Sequence, residues 1–423
     1  MKKRIARFAL GLLAASVLVL ASCGRDAIFF TIATEVPPQP PLIRGGPTQM
    51  VVFDWGTEDN KVPVMFVASG SLFWYSAGEH DRDEDGNILS GQNASWQREG
   101  LGIPSRPREE RIIDIAATRS HLYILVMTGT GVETSIYRLA SGGSGWSAPI
   151  TVSGPGNIQS IFADPQGGRL FAGVHGAGGN SIWFLDNAGS GLLHLPTGDL
   201  REPSAGQTTD TGLLSGVVLR DGVHFISTRR ESIFYVSESA LAAGVVGSVG
   251  RTTIANGVFM GMIKLPDNSI IAVNREGGFL YQADADSISF TRIGDTMRTG
   301  RDATGALALW REREGGRELL VAGIQGSRHA TTFVNGYVEF ELLATENGIS
   351  LGPRREAGTA NNELLSVSDN AQYRTSLGRL PLNHLFQAPM EIDVDMTFFA
   401  STQTAGLWSF RTLDGVPQWN AEN

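Results

Sequence analysis

The densest group of residues able to do chemistry in this 423-residue chain is Asp81-Arg82-Asp83-Glu84-Asp85-Gly86-Asn87-Ile88-Leu89-Ser90-Gly91-Gln92. Carboxylates at Asp81, Asp83 and Asp85 occupy alternate positions, Gly86 permits a sharp turn, and the backbone carbonyl of Asn87 adds another hard oxygen. Such a row suits calcium. The segment ends at Gln92, which is neutral. Two readings follow: a solvated acidic hairpin loop, which the charge run favours, or a weak calcium site that stiffens the loop. No other cofactor is expected.

This segment resembles an EF-hand-type loop, with Ile88 matching its apolar eighth position; the resemblance implies a bidentate carboxylate at the twelfth, where Gln92 stands, and a hairpin setting without flanking helices is expected. The seven histidines, His80, His121, His175, His194, His224, His329 and His384, have no paired metal-ligand spacing. Catalytic residues therefore stay unassigned. No Gly-x-Ser-x-Gly elbow and no phosphate loop is present. Arg229-Arg230, Arg311 with Arg313, and Arg354-Arg355 would grip a carboxylate only if folding brought them into one pocket.

A single cysteine, Cys23, follows a basic start (Lys2, Lys3, Arg4, Arg7), an apolar run from Phe8 to Leu20, and the small residues Ala21 and Ser22. The run is too short for a comfortable transmembrane span and has the layout of an export signal. Leu20-Ala21-Ser22-Cys23 resembles the lipobox of bacterial lipoproteins. That resemblance implies cleavage after Ser22 and attachment of acyl chains, such as palmitate, to Cys23. Two or three chains hold a protein firmly where one holds it marginally. Gly24 in place of an inner-membrane retention aspartate makes the outer membrane the favoured destination, with the body exported and facing the periplasm or the surface. No later segment has about 18 uncharged apolar residues in a row, so the lipid takes the place of a spanning helix.

Residues 1–22 are thus read as signal peptide, 23–47 as lipidated cysteine and tether, and 48–423 as the body. Four prolines among Pro37, Pro38, Pro40 and Pro41 favour a stiff, extended spacer. Ile28–Ile32 is the part of the tether expected to dock. The chain carries 34 basic and 43 acidic residues, a net charge of −9, and removal of 1–22 makes it more acidic still. That balance excludes a nucleic-acid partner.

The elements that would position any site are short and β-rich. Ser239–Val246 is the one segment expected to make a turn or two of helix. Seven times, an apolar run ending in small residues precedes a small residue and an apolar pair. Val64–Ser69 precedes Ser71-Leu72-Phe73, Leu170–Val174 precedes Ser181-Ile182-Trp183, and Thr397–Ser401 precedes Gly406-Leu407-Trp408. The other four runs start at Leu122, Val223, Ile270 and Leu319. A further strand with a turn signal comes before several pairs, as in Val217–Gly222, and a fourth candidate follows several, as in Ser95-Trp96, Gly145-Trp146, Ser289–Thr291 and Gln418-Trp419. Four antiparallel strands repeated about seven times predict an all-β fold, a β-propeller of about seven blades. The small-residue runs are expected to be the inner strands around the channel.

The repeats resemble the broad propeller superfamily without matching the WD40, kelch or quinone-cofactor patterns. Thr412–Trp419 resembles a sialidase-type Asp box with its glycine one position early. Three functions remain open: a lipid-anchored interaction or scaffold module with an envelope or extracellular protein partner, a propeller-type carbohydrate hydrolase or lyase, and a calcium-stabilised adhesin. For the first, loops at 79–93 and 343–375 are the expected partner surface.

Overall fold

A computed structural model describes residues 42–56, 61–76, 95–98, 111–128, 133–153, 156–176, 179–200, 213–229, 232–244, 246–252, 254, 258–275, 278–293, 301–311, 318–326, 336–346, 348–355, 380–393, 395–413 and 416–422. The chain divides into two units, Met1–Pro40 and Pro41–Asn423, and the second carries all the described structure. Among the described residues no helix is long and apolar enough to cross a membrane.

Strands in the second unit pair with their neighbours in sequence, giving six four-stranded antiparallel sheets and one three-stranded sheet. In the three-stranded one, Ile150 takes the fourth place through a two-way backbone bridge with Ile136. The fold is a seven-bladed β-propeller. All seven expected strand pairs are present as the second and third strands of the blades, from Val62–Ser69 with Ser71–Ser76 to Phe398–Thr402 with Leu407–Leu413. In blade 4 a tight turn joins the first strand to the second as the residue types require. Asp221 and Gly222, with φ of 49° and 74°, close the hairpin between Leu214–Arg220 and Val223–Thr228 in a left-handed conformation that favours Asp-Gly.

One expectation is corrected. The small-residue runs are the second strands, and the inner strands are the ones before them: Val51–Trp55, Arg111–Ala117, Gly156–Ala163, Leu214–Arg220, Phe259–Lys264, Arg301–Arg311 and Leu382–Gln387. From blade 1 to blade 7, each of these packs against the inner strand of the next blade. Second strands are packed between blades on both faces, so they read as continuous apolar runs. His121–Met127 and Ile270–Asn274 are buried almost throughout.

The core is divided among the seams. Seven apolar clusters are present, one between each pair of adjacent blades, including the pair that closes the ring. Between blades 6 and 7, Trp310 stacks on Phe398 with ring centroids 5.2 Å apart, and Trp419 packs on Tyr337, Phe398 and Phe410. Each such buried aromatic contributes up to about 1.5–3 kcal/mol, so this seam is a strong apolar interface.

Ring closure is also defined. Gln418-Trp419 does complete the last blade, within the strand Val416–Ala421. The segment before the first inner strand then lies across blade 7. The Leu42 N–H donates to Glu422 O at 2.6 Å, and the N–H groups of Gly406 and Leu407 donate to Gly45 O and Ile43 O. Ile43 is fully buried in the closing cluster. Ile28–Ile32 lies outside the described residues.

Candidate functional site

Six of the seven inner strands have a break in register near their start, between Ile112 and Asp114, Ile158 and Ser160, Leu214 and Gly216, Phe259 and Gly261, Ala303 and Leu307, and Leu382 and His384. Such bulges re-aim a side chain. Here they turn polar groups along the seams at the face where the inner strands begin, which we call the entry face. The opposite one is the exit face.

Asp114 bridges blades 2 and 3: Oδ2 accepts the Ile161 N–H and Oδ1 the Ile115 N–H, both at 2.9 Å. Ser160 Oγ accepts the Leu214 N–H of blade 4 at 3.0 Å, and the Ser215 hydroxyl donates to Phe259 O of blade 5 at 2.7 Å. Gln49 Nε2 donates to Ile115 O and Ile161 O at 2.6 and 3.0 Å, tying the start of blade 1 to blades 2 and 3. His384 Nδ1 accepts the Met50 N–H at 3.1 Å and closes blade 7 onto blade 1. Between blades 5 and 6 the two inner-strand backbones meet directly at Gly261 and Gly305. A Cβ on Gly261 would run into the Gly305 carbonyl oxygen, and one on Gly305, at φ 90°, into that of Met260. Glycine is required because the two backbones touch.

Two of these groups have displaced proton affinities. The protein around Asp114 desolvates its carboxyl and pushes it up to about 7, against the opposing pull of the two backbone N–H groups, the Arg229 charge and the Gln49 amide. Burial drives His384 down to about 4, so its ring is neutral and able to accept from Met50. Chemically, this belt offers one proton-binding carboxyl at Asp114 near a guanidinium.

A second polar group joins blades 3 and 4 at the exit face. Glu238 opens the helix Glu238–Ala242, which matches the expected helical segment. Its carboxylate receives Arg169 Nε at 2.9 Å and His224 Nε2 at 2.6 Å. His224 is fully buried; desolvation lowers its proton affinity while Glu238 raises it. Asp164 alongside accepts the Leu219 N–H at 2.7 Å.

Cys23, Asp81, Asp83, Asp85 and Asn87 lie outside the described residues, as do His80, His329, Arg230 and Arg313. The remaining histidines are not brought together. His175 is exposed at the entry face at the end of a second strand and bonds Asn180; His194 is on a fourth strand against Trp183, and His121 on a second strand near Tyr123. Arg229 lies at the entry face and Arg311 at the exit face, so they do not converge on one carboxylate. Arg354 and Arg355 belong to Gly348–Arg355, the fourth strand of blade 6, where a long insertion was expected. Among the described residues no group of three or more His, Cys, Asp or Glu could hold a metal ion.

Sequence reading passed over Asp114, Gln49, Ser160, Ser215 and His384. A signal was available: Asp114 stands inside the apolar run Ile112-Ile113-Asp114-Ile115-Ala116, where only a partnered carboxylate is tolerated.

No protein-family profile matches the chain, and no curated protein does. Solved structures do resemble it. A GH74 xyloglucanase from Xanthomonas campestris aligns at 12% identity over 91% of this chain and 55% of its own, with a TM-score of 0.52. This chain thus spans about half the length of that enzyme. YCF48 from Cyanidioschyzon merolae aligns at 14% identity over 88% of this chain and 97% of its own, with a TM-score of 0.44. A streptogramin B lyase aligns at 10% identity over 86% and 93%, with a TM-score of 0.46. At these identities any likeness is one of fold alone, and the class, a β-propeller, is defined by the chain's own seven sheets.

Proposed function

We propose that the chain is a lipid-anchored protein of the cell envelope whose ring acts as a platform for a protein partner. Export, lipid on Cys23 and an outer-membrane destination rest on the amino-terminal sequence. The observation that carries the platform reading is the use made of polar side chains on, and just before, the inner strands. Asp114, Ser160, Ser215, Gln49 and His384 each bond a backbone group of a neighbouring blade. Groups that a hydrolase would aim at a substrate here hold a rigid ring, and a rigid ring is what displays loops in fixed places.

Crosslinking in intact cells, with the partner then identified, tests this reading. A reproducible protein adduct from the ring supports it; turnover of a small substrate with no protein adduct sinks it.

One observation favours a second reading, a carbohydrate hydrolase or lyase: Asp114 has a proton affinity suited to acid–base work and feels the charge of Arg229. Under that reading Asp114→Asn abolishes turnover of an envelope polysaccharide while the ring stays folded; under the platform reading the wild type shows no turnover to abolish.

A further inference from the structure

Charge is divided between the two faces of the ring. The entry face holds exposed arginines, Arg44, Arg98, Arg111, Arg251 and Arg292, with Glu133 as its exposed acid among the described residues. On the exit face Asp54, Asp221, Asp284, Glu318, Glu391 and Asp395 are exposed, against the bases Lys61, Arg119 and Arg311. Among the described residues, the exposed charges on one side of this chain, which is acidic as a whole, are therefore mostly basic.

Three of these arginines are placed by a repeated device. Arg98, Arg251 and Arg292 sit on fourth strands opposite Phe73, Phe234 and Tyr281 of the third strands. Each reaches the residue two places earlier, on the same side of its sheet. Arg98 Nη2 donates to Ser71 Oγ at 2.8 Å, Arg251 Nε to Ser232 Oγ at 2.9 Å, and Arg292 stacks 3.6 Å from the Phe279 ring centroid. In blades 1, 4 and 5 the guanidinium is thereby held at the rim of the entry face. Such an arrangement loses little side-chain freedom when it meets an anion.

The chain also enters the ring on this face. Leu42, 46% exposed, lies at the rim of blade 7, bonded to Glu422 at the end of the last strand. Cys23 is nineteen residues earlier. Fully extended, that length reaches about 60 Å, enough for either face to meet the bilayer, so charge decides which one does.

We infer that the entry face docks on an anionic lipid surface, with the acidic exit face turned away from it. This rests on the reading of Cys23 as a lipid anchor. Anchor and arginines act together, as an acyl chain combined with a basic patch does, and repulsion of the exit face adds to the orientation.

The test uses the full lipidated protein on vesicles of phosphatidylglycerol mixed with phosphatidylcholine, and on phosphatidylcholine alone. Hydroxyl-radical labelling then compares Leu42 with Met390 and Ile288, which are 61% and 46% exposed on the exit face. Labelling of Leu42 should fall by about threefold or more on the anionic vesicles at about 0.05 M salt and recover at about 1 M. It should also recover in Arg44→Glu/Arg111→Glu, whose melting temperature is checked against wild type. Equal labelling of protein bound to both vesicle types, or shielding of Met390 and Ile288 instead, overturns the docking and leaves the anchor standing. Protein that stays in solution with both vesicle types overturns the anchor and the docking with it.

Discussion

Asp114 Oδ2 accepts the backbone N–H of Ile161 at 2.9 Å, across the seam between blades 2 and 3. Its other oxygen accepts the Ile115 N–H on its own strand, so one carboxyl holds the bulge open and ties it to the next blade. Ser160, Ser215 and His384 repeat the device with other chemistry. Apolar clusters hold the blades together, and these polar contacts set their register at the inner edge.

Asp114 makes the ring's stability depend on pH. Its folded-state affinity is raised from near 3.8 to about 7, so between those values the folded chain keeps a proton that the unfolded chain has released. Its contribution is fully present below about pH 4 and is lost as pH rises through 7, by at most about 1.4 kcal/mol per pH unit. Urea unfolding of wild type and Asp114→Asn across this range checks the sign. The stability of wild type relative to the variant should decline from pH 4 to 7, and a constant difference contradicts the assignment.

His384 works in the opposite direction. Burial lowers its affinity to about 4, so stability is present above about 6.5 and is lost as pH falls towards 4. His384→Ala should cost about 1–3 kcal/mol at pH 7, because the Met50 N–H loses its acceptor, and should flatten the acid limb. His384→Gln, which restores an acceptor without a titrating ring, should recover part of the loss and keep the flat limb. Chemical denaturation as a function of pH reads both effects.

The seam between blades 5 and 6 should be intolerant of a single methyl group. Gly261→Ala puts a Cβ into the Gly305 carbonyl and should destabilise by about 1–3 kcal/mol. Gly145→Ala, where the new Cβ meets nothing within 4 Å, should change stability by less than about 1 kcal/mol. Melting temperatures of the two variants decide whether backbone contact, rather than loss of glycine as such, is responsible.

Much of this architecture is legible in the sequence because second strands such as Leu170–Gly176 are buried on both sides, leaving unbroken apolar runs that repeat seven times. Inner strands are less visible. Bulges and polar residues interrupt them, as Asp114 and Ser160 do, so their alternation is lost and, in sequence, the channel falls instead to the apolar strand that follows each of them. Gly145-Trp146 misled for a different reason: Trp146 packs into the cluster between blades 1 and 2, and it is Ile150 that pairs with the third strand. The seam contacts join residues far apart in the chain, Met50 to His384 above all, and no local pattern announces them. The arginine face was hidden likewise, because Arg98, Arg251 and Arg292 share a position only once the blades are superposed.

The account hangs most directly on Cys23, since a platform of the envelope needs the lipid that the lipobox implies. Mass spectrometry of the amino-terminal peptide from the membrane fraction measures it. The account predicts a chain beginning at Cys23 with a mass increment of two or three acyl chains and a thiol that no alkylating reagent reaches. A chain found unprocessed, or cleaved elsewhere with Cys23 free to alkylate, would contradict it.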